Sequence, residues 1–199
     1  MREALTRPRV LDAARRILIE EGLDGVSLRR VAGSLGVTAP ALYAYVKDKH
    51  DLLQGIADIE LEDLQDRFGE VEGLDPEDRL HDMAMTYVNF ARHNSSVFRA
   101  IFLVHPELAM RTADDEPSMT RVFQAGSAPI QELDQRGQLG ETDAETAALA
   151  FWTAVHGAAT VMASGSYLDL AERERAAETV INSVLSGLHG PSARDAGAA

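Results

Sequence analysis

The chain of 199 residues has no cysteine, which excludes disulfides, thiol catalysis and Cys-ligated zinc. Aromatics make up only 6% of it, and tryptophan occurs once. Positive charge is short: 19 Lys and Arg face 32 Asp and Glu, a net charge of −13. No stretch reads as apolar over the roughly 18 residues that a membrane span needs. Arg2 and Glu3 lead into an amphipathic pattern rather than the apolar core of a secretory signal. The expectation is a cytoplasmic protein with no membrane partner. Catalytic signatures are missing as well: there is no H-x-x-x-H, H-E-x-x-H, G-x-S-x-G or P-loop. His81 and His93 lie twelve apart, and His105 is followed by Pro106. No catalytic residue, cofactor or metal site is expected, and an all-α metal-dependent enzyme is the weaker alternative. Strand alternation is also lacking.

What remains is helical periodicity almost throughout. Val10, Leu11, Ala14, Ile17 and Leu18 share one face of a helix predicted over 8–21, with Gly22 as its stop. Asp48 is a good N-cap for a helix running through Leu52, Leu53, Ile56, Ile59 and Leu61. Residues 69–76 read as a break. Further helices are predicted over 76–93, 97–102, 119–135, 142–163 and 170–188. A loop or a frayed turn is expected over 104–117, and the small, polar tail 190–199 is expected to be disordered. The fold class is all-α, about nine helices. The expected domains are a three-helix helix-turn-helix head (1–50) and a helical ligand-binding and dimerisation body (51–189).

The head carries the strongest signal, in Val26–Leu53. Ser27 can cap a short helix whose buried stripe is Leu28, Val31, Ala32 and Leu35, with Gly36 as the turn. Thr38 can cap the next helix, with Pro40 in its first turn, where the missing N–H costs nothing. Two such helices form a helix-turn-helix, which sets its second helix into the DNA major groove. Charge agrees. Residues 1–50 hold nine basic and six acidic side chains, whereas the remainder holds ten and 26. Phosphate contact is thereby restricted to the head.

Val31-Ala32, Leu35-Gly36-Val37, Pro40, Leu42-Tyr43, Val46, Lys47, Lys49 and Leu52-Leu53 together resemble the N-terminal signature of the TetR family of bacterial regulators, its tetracycline-repressor branch especially. Further on, Phe151-Trp152-Thr153-Ala154-Val155-His156-Gly157 resembles the Trp…His-Gly pattern of one group of TetR-type C-terminal domains. The resemblance implies a homodimeric regulator, usually a repressor, on a palindromic double-stranded operator. The candidate DNA-binding residues are Ser27, Leu28, Arg29, Thr38, Ala39, Pro40, Ala41, Tyr43, Ala44, Tyr45, Lys47 and Lys49. Tyr43, Tyr45 and Thr38 can bond phosphates through their hydroxyls, and Lys49 stands at a helix N-terminus that favours an anion. Arg29 can reach a phosphate or a guanine edge, while Ala39 and Ala44 offer only apolar contact. Arg30 and His50 read as solvated side chains.

In the body, residues 142–163 are rich in alanine, and Val180, Ile181, Val184, Leu185 and Leu188 recur at helical spacing. Paired across a two-fold axis, these two helices would make a four-helix bundle, the expected homodimer contact. Met83, Tyr87, Phe90, Phe123, Trp152 and His156 are the candidate ligand-binding residues, for an unknown small apolar effector. Phe98, Phe102, Met110 and Met162 are further apolar wall residues. A DNA-binding regulator without a small-molecule effector is the other reading.

Overall fold

The computed structural model describes residues 4–71, 75–110, 118–164 and 168–189; the tail 190–199 lies outside the described residues. Among the described residues there is no strand. The helices are α1 (Arg7–Gly25), α2 (Leu28–Leu35), α3 (Ala39–Leu42), α4 (Lys49–Gly69), α5 (Pro76–His93), α6 (Ser95–Phe98), α7 (Glu107–Met110), α8 (Ser118–Gln135), α9 (Ala144–Ala163) and α10 (Leu170–Leu188). They form two compact units. The first comprises residues 1–63 with 94–119, the second residues 64–93 with 120–199, and α4 contributes to both.

In the first unit, α1 buries Val10, Leu11, Ala14, Ile17 and Leu18, the stripe that its periodicity implies. Gly22, at φ 73°, interrupts the helix where its stop was expected, and one further turn carries the chain to Gly25. The Ser27 hydroxyl caps α2 by accepting the Arg30 N–H at 3.2 Å. Gly36, at φ 67° and ψ 32°, closes α2 in the left-handed conformation, with its N–H on the Ala32 and Gly33 carbonyls. The stripe of α2 is narrower than expected: Val31 and Ala32 are buried, Leu28 and Leu35 only half-buried. Two turns of helix can aim few side chains fully inward.

Thr38 holds the N-cap position of α3, but its hydroxyl makes no cap bond, contrary to expectation. Asp48 does cap α4, accepting the Asp51 N–H at 2.8 Å, while Asp51 accepts the Lys47 N–H at 2.7 Å. Ile59, expected on the buried face of α4, is 45% exposed. Leu52, Leu53, Ile56 and Leu61 are buried as expected, together with Ala57, Glu60 and Leu64, and that face turns Ile59 outward.

Glu60 is a carboxylate buried in this core, 4% exposed. Arg15 of α1 pairs with it and also donates to the Asn94 side-chain oxygen at 3.1 Å. These three groups join α1, α4 and the start of α6. The helix expected over 97–102 differs in form: α6 ends at Phe98, and a π-helical stretch, Arg99–Val104, continues it. Its wider turns lie within a segment where Val97, Phe98, Ala100 and Ile101 are all buried. Within the expected loop, Glu107–Met110 forms a helical turn, held by Gln54 Nε2 donating to the Leu108 carbonyl at 2.9 Å. Residues 111–117 lie outside the described residues.

In the second unit α5, α9 and α10 pack on one another. Asp143 caps α9 through the Thr146 N–H at 2.9 Å, and Asp169 with Glu172 makes a capping box on α10. Arg173 caps the other end of α9, donating to the Met162 and Ser164 carbonyls at 2.8 and 3.0 Å. The expectation of no span-length apolar segment is corrected: the 20 residues Ala144–Ala163 are long and apolar enough to cross a membrane. Here the apolarity serves core packing, since Ala147, Ala148, Phe151, Val155, Ala158, Ala159 and Met162 are buried.

Arg15→Ala leaves Glu60 as a buried, unpaired charge. Because the Arg15 side chain is itself 35% exposed, the loss expected falls below the roughly 3–5 kcal/mol of a fully buried pair, at about 2 kcal/mol. Urea denaturation at neutral pH measures it, and an unchanged midpoint contradicts the assignment.

Candidate functional site

The end of α3 is short and tied down from below. Leu42 and Val46 are fully buried, 0% and 2% exposed. They orient the turn between them, so that Tyr43 stands 61% exposed beside Ala44 while Tyr45 is half-buried. Thr38, Pro40 and Ala41 are exposed along α3, and Ala39 is half-buried. Arg29, on α2, and Lys47 are exposed. Ser27 spends its hydroxyl on the α2 cap, and Leu28 is half-buried. Lys49 donates to the Leu23 carbonyl at 3.0 Å, tying the start of α4 to the end of α1. Arg30 is exposed and paired with Glu21, whose carboxyl this hydrogen bond holds below the ordinary value.

One contributor has no local signal. Arg7 donates to the Tyr45 carbonyl at 2.6 Å and pairs with Asp51 at 3.0 Å. It thus clamps the exit of α3 to the first turn of α4. The Asp51 carboxyl is held below its ordinary value, first by the Arg7 hydrogen bond. Its partner lies 44 residues away in the chain. Gly55 was the available hint, because a glycine inside a helix marks close approach. A Cβ there would meet the Leu11 side chain at 2.8 Å and the Arg7 guanidinium at 3.2 Å.

In the second unit a small cavity is lined by Phe68 of α4; Met83, Ala84 and Tyr87 of α5; Val122, Phe123, Gly126 and Ser127 of α8; and Ala148, Phe151, Trp152 and Val155 of α9. No lining side chain is charged. The volume is about 20 Å³, room for about one water molecule. Four of the six sequence candidates line it: Met83, Tyr87, Phe123 and Trp152. His156 stands against it, stacked on Trp152 with ring centres 5.4 Å apart and bonded through Nδ1 to the Tyr87 hydroxyl at 2.9 Å. Phe90 is buried but is not part of the lining. Phe98 and Phe102 pack against each other with tilted rings, centres 4.8 Å apart, in the first unit. Met162 is buried. Ser127, missed in the sequence, carries no motif; only its place on α8 brings it to the wall.

Burial sets the chemistry of this cluster. It pushes the Tyr87 hydroxyl well above the ordinary tyrosine value and lowers His156 below the ordinary histidine value. Both groups are therefore neutral, and the hydrogen bond between them joins a protonated tyrosine to an uncharged imidazole. Among the described residues no three His, Asp or Glu side chains are grouped to hold a metal ion.

Comparison with known proteins matches both parts. Residues 10–56 match the family described as "Bacterial regulatory proteins, tetR family", and residues 80–184 match "Tetracyclin repressor-like, C-terminal domain". The chain belongs to the TetR family. It is a transcriptional regulator with a DNA-binding helix-turn-helix. An uncharacterised HTH-type transcriptional regulator of Mycobacterium tuberculosis is 30% identical over 155 residues, covering 77% of this chain and 68% of that one. The class D tetracycline repressor of Escherichia coli is 45% identical over 53 residues, 27% of this chain and 24% of the repressor, so that likeness is confined to about a quarter of each. The fatty acid degradation regulator FadR from Bacillus halodurans superposes with a TM-score of 0.68 at 18% identity, over 97% of this chain and 99% of that one. At that identity the likeness concerns the all-α fold alone. In TetR terms, Leu42 and Val46 anchor the recognition helix, and the Trp…His-Gly segment supplies the stacked pair beside the cavity.

The lowered His156 pKa has a consequence for stability. The unfolded chain takes up a proton near 6.5, where folded His156 stays neutral. This contribution is therefore fully present above about pH 6.5 and is lost as pH falls through the lower folded value. Urea unfolding measured from about pH 7.5 down to about pH 5 is expected to show that decline, and His156→Phe should flatten its share of it. Equal slopes for the two proteins contradict the assignment.

Proposed function

We propose that this TetR-family regulator binds a palindromic operator as a homodimer, represses transcription there, and is released by a small apolar effector. The observation that carries the DNA reading is the exposed edge from Thr38 to Tyr45 held over buried Leu42 and Val46, flanked by Arg29 and Lys47. Residues 1–50 serve as the head and 51–189 as the body, in the cytoplasm where the operator is. Thr38 and Tyr43 give phosphates hydroxyl contacts, Lys47 adds charge, and Arg29 reads a base edge or a phosphate. Ala39, Pro40, Ala41 and Ala44 let the backbone approach closely, leaving apolar contact and DNA shape to complete the readout. Ser27, Leu28, Tyr45 and Lys49 support this edge from behind, through caps, packing and the bond to Leu23.

One head makes too few contacts for useful specificity, so two heads on successive major grooves are required. The faces of α9 and α10 turned out of the second unit support the dimer. On α9, Leu149 is 57% and Val161 39% exposed, with Ala150, Thr153 and Gly157 beside them; on α10, Val180 is 38% exposed. Ile181, Leu185 and Leu188 bury within their own subunit, so the face offered to a partner is the small-residue side rather than the whole stripe.

The cavity beside Trp152 and His156 supports effector sensing. An effector that favours one head arrangement over another shifts the equilibrium by its differential affinity and by nothing else. α4 supplies both Lys49 at the head and Phe68 at the cavity wall, which makes it the element that carries the change. The small cavity volume favours the second reading, a regulator that acts without a small-molecule effector.

Selection of bound duplexes from a random pool is expected to return a palindrome with half-sites about one helical turn apart. No enrichment over bulk DNA refutes the proposal. On the selected operator, Lys47→Ala should lower the slope of log affinity against log salt by about one, alike for all sequences. Arg29→Ala should cost about 1–3 kcal/mol with relaxed preference at one base position, if it reads a base edge. Wild-type behaviour in both variants removes this edge from the interface.

A further inference from the structure

We infer that the cavity of the second unit is a site for an uncharged aromatic molecule carrying a hydroxyl donor, phenol in its simplest form, and that α8 opens at Gly126–Pro129 to admit it. This deepens, and rests on, the sensing role proposed for the body. Three observations point to that ligand class. First, rings of Phe123, Phe151, Trp152 and Tyr87 supply much of the wall, and none of the lining side chains is charged. A carboxylate or ammonium would enter without a counter-charge and lose its hydration. Second, Ser127 has committed its proton, donating to the Gln124 carbonyl at 3.0 Å, while the Tyr87 hydroxyl is engaged with His156 Nδ1 at 2.9 Å. What Ser127 offers a ligand is an oxygen lone pair, so the ligand must be the donor. Ser127 is 8% exposed and is one of two buried polar or charged residues among those described, the other being Glu60 in the first unit.

Third, the wall has a built-in weak point. A volume of about 20 Å³ does not hold a benzene-sized ring, so admission requires a wall to move. Pro129 lies inside α8 and has no N–H, leaving the Ala125 carbonyl without its helical donor. Gly126 lacks a side chain, and nothing stands within 4 Å of where a Cβ would be. The turn between these two residues is where α8 bends at least cost. Bending there carries Val122 and Phe123 away from Trp152, whose ring centre is 6.3 Å from that of Phe123.

The chain's single tryptophan, Trp152, reports on the site directly. Phenol, toluene and benzoate are titrated into the full-length protein while its emission is followed. Phenol is expected to quench it saturably, and benzoate to bind roughly a hundredfold more weakly. In Ser127→Ala the ratio of phenol to toluene affinity should fall about three- to tenfold. In Pro129→Ala, which restores the missing N–H, the stopped-flow rate of phenol binding should drop several-fold. Benzoate binding as tightly as phenol, no phenol response up to its solubility, or an unchanged ratio in Ser127→Ala overturns the ligand class. An unchanged rate in Pro129→Ala overturns the opening. Operator affinity measured alongside separates the two readings: phenol that saturates the site while the operator stays bound supports the site and removes only its part in release.

Discussion

A helix of four residues cannot stand by itself. Forming its first turn fixes several backbone dihedrals for a single hydrogen bond, and α3 stops almost as soon as it begins. What holds it is burial of Leu42 and Val46, together with the Arg7 clamp on the Tyr45 carbonyl and Asp51. The exposed side chains proposed to face DNA are outward neighbours of those anchors, so their positions are set by packing they do not take part in. This explains why Gly36 must stand where it does. The left-handed residue turns the chain so that the next helix returns its apolar side to the same core.

Neutral burial governs the second unit. Tyr87, Trp152 and His156 lie against one another in a wall without charge. Burial itself keeps the tyrosine protonated and the imidazole neutral, so the hydrogen bond between them needs no ion to hold it. Charge instead collects at the periphery of this unit. Arg79 and Arg136 share Glu132, Arg92 pairs with Glu174, and His189 meets Glu77 at 3.1 Å. The charge of this unit is thus a surface property, compatible with an interior that is almost wholly apolar.

Local signals and long-range contacts divided the work unevenly. The helices over 76–93 and 170–188 were legible to the residue, because Pro76 starts one and Asp169 with Glu172 caps the other. The π-helical stretch after Phe98 was not, since its sequence has the periodicity of an ordinary helix. In the cavity, four of six residues could be picked from aromatic and methionine spacing, whereas Phe90 and Ser127 could not be sorted. Which side of α5 or α8 faces a void depends on the neighbouring helix, and periodicity contains no information about that neighbour.

The amino-acid order alone determined the all-α class, the helix-turn-helix with its Ser27 cap and its Gly36 turn, and the contrast between a basic stretch over 1–50 and an acidic remainder. Each of these follows from interactions between residues a few positions apart, or from counting charge. Only the tertiary structure decided that Arg7 and Arg15 tie distant helices together, that Tyr87 is hydrogen-bonded to His156, and which apolar stripe of α10 is buried within the second unit. Those partners are 44, 45 and 69 residues apart in the three hydrogen-bonded cases. Side chains so far apart in the chain acquire a relationship only when packing brings them within reach, and no local pattern encodes that distance.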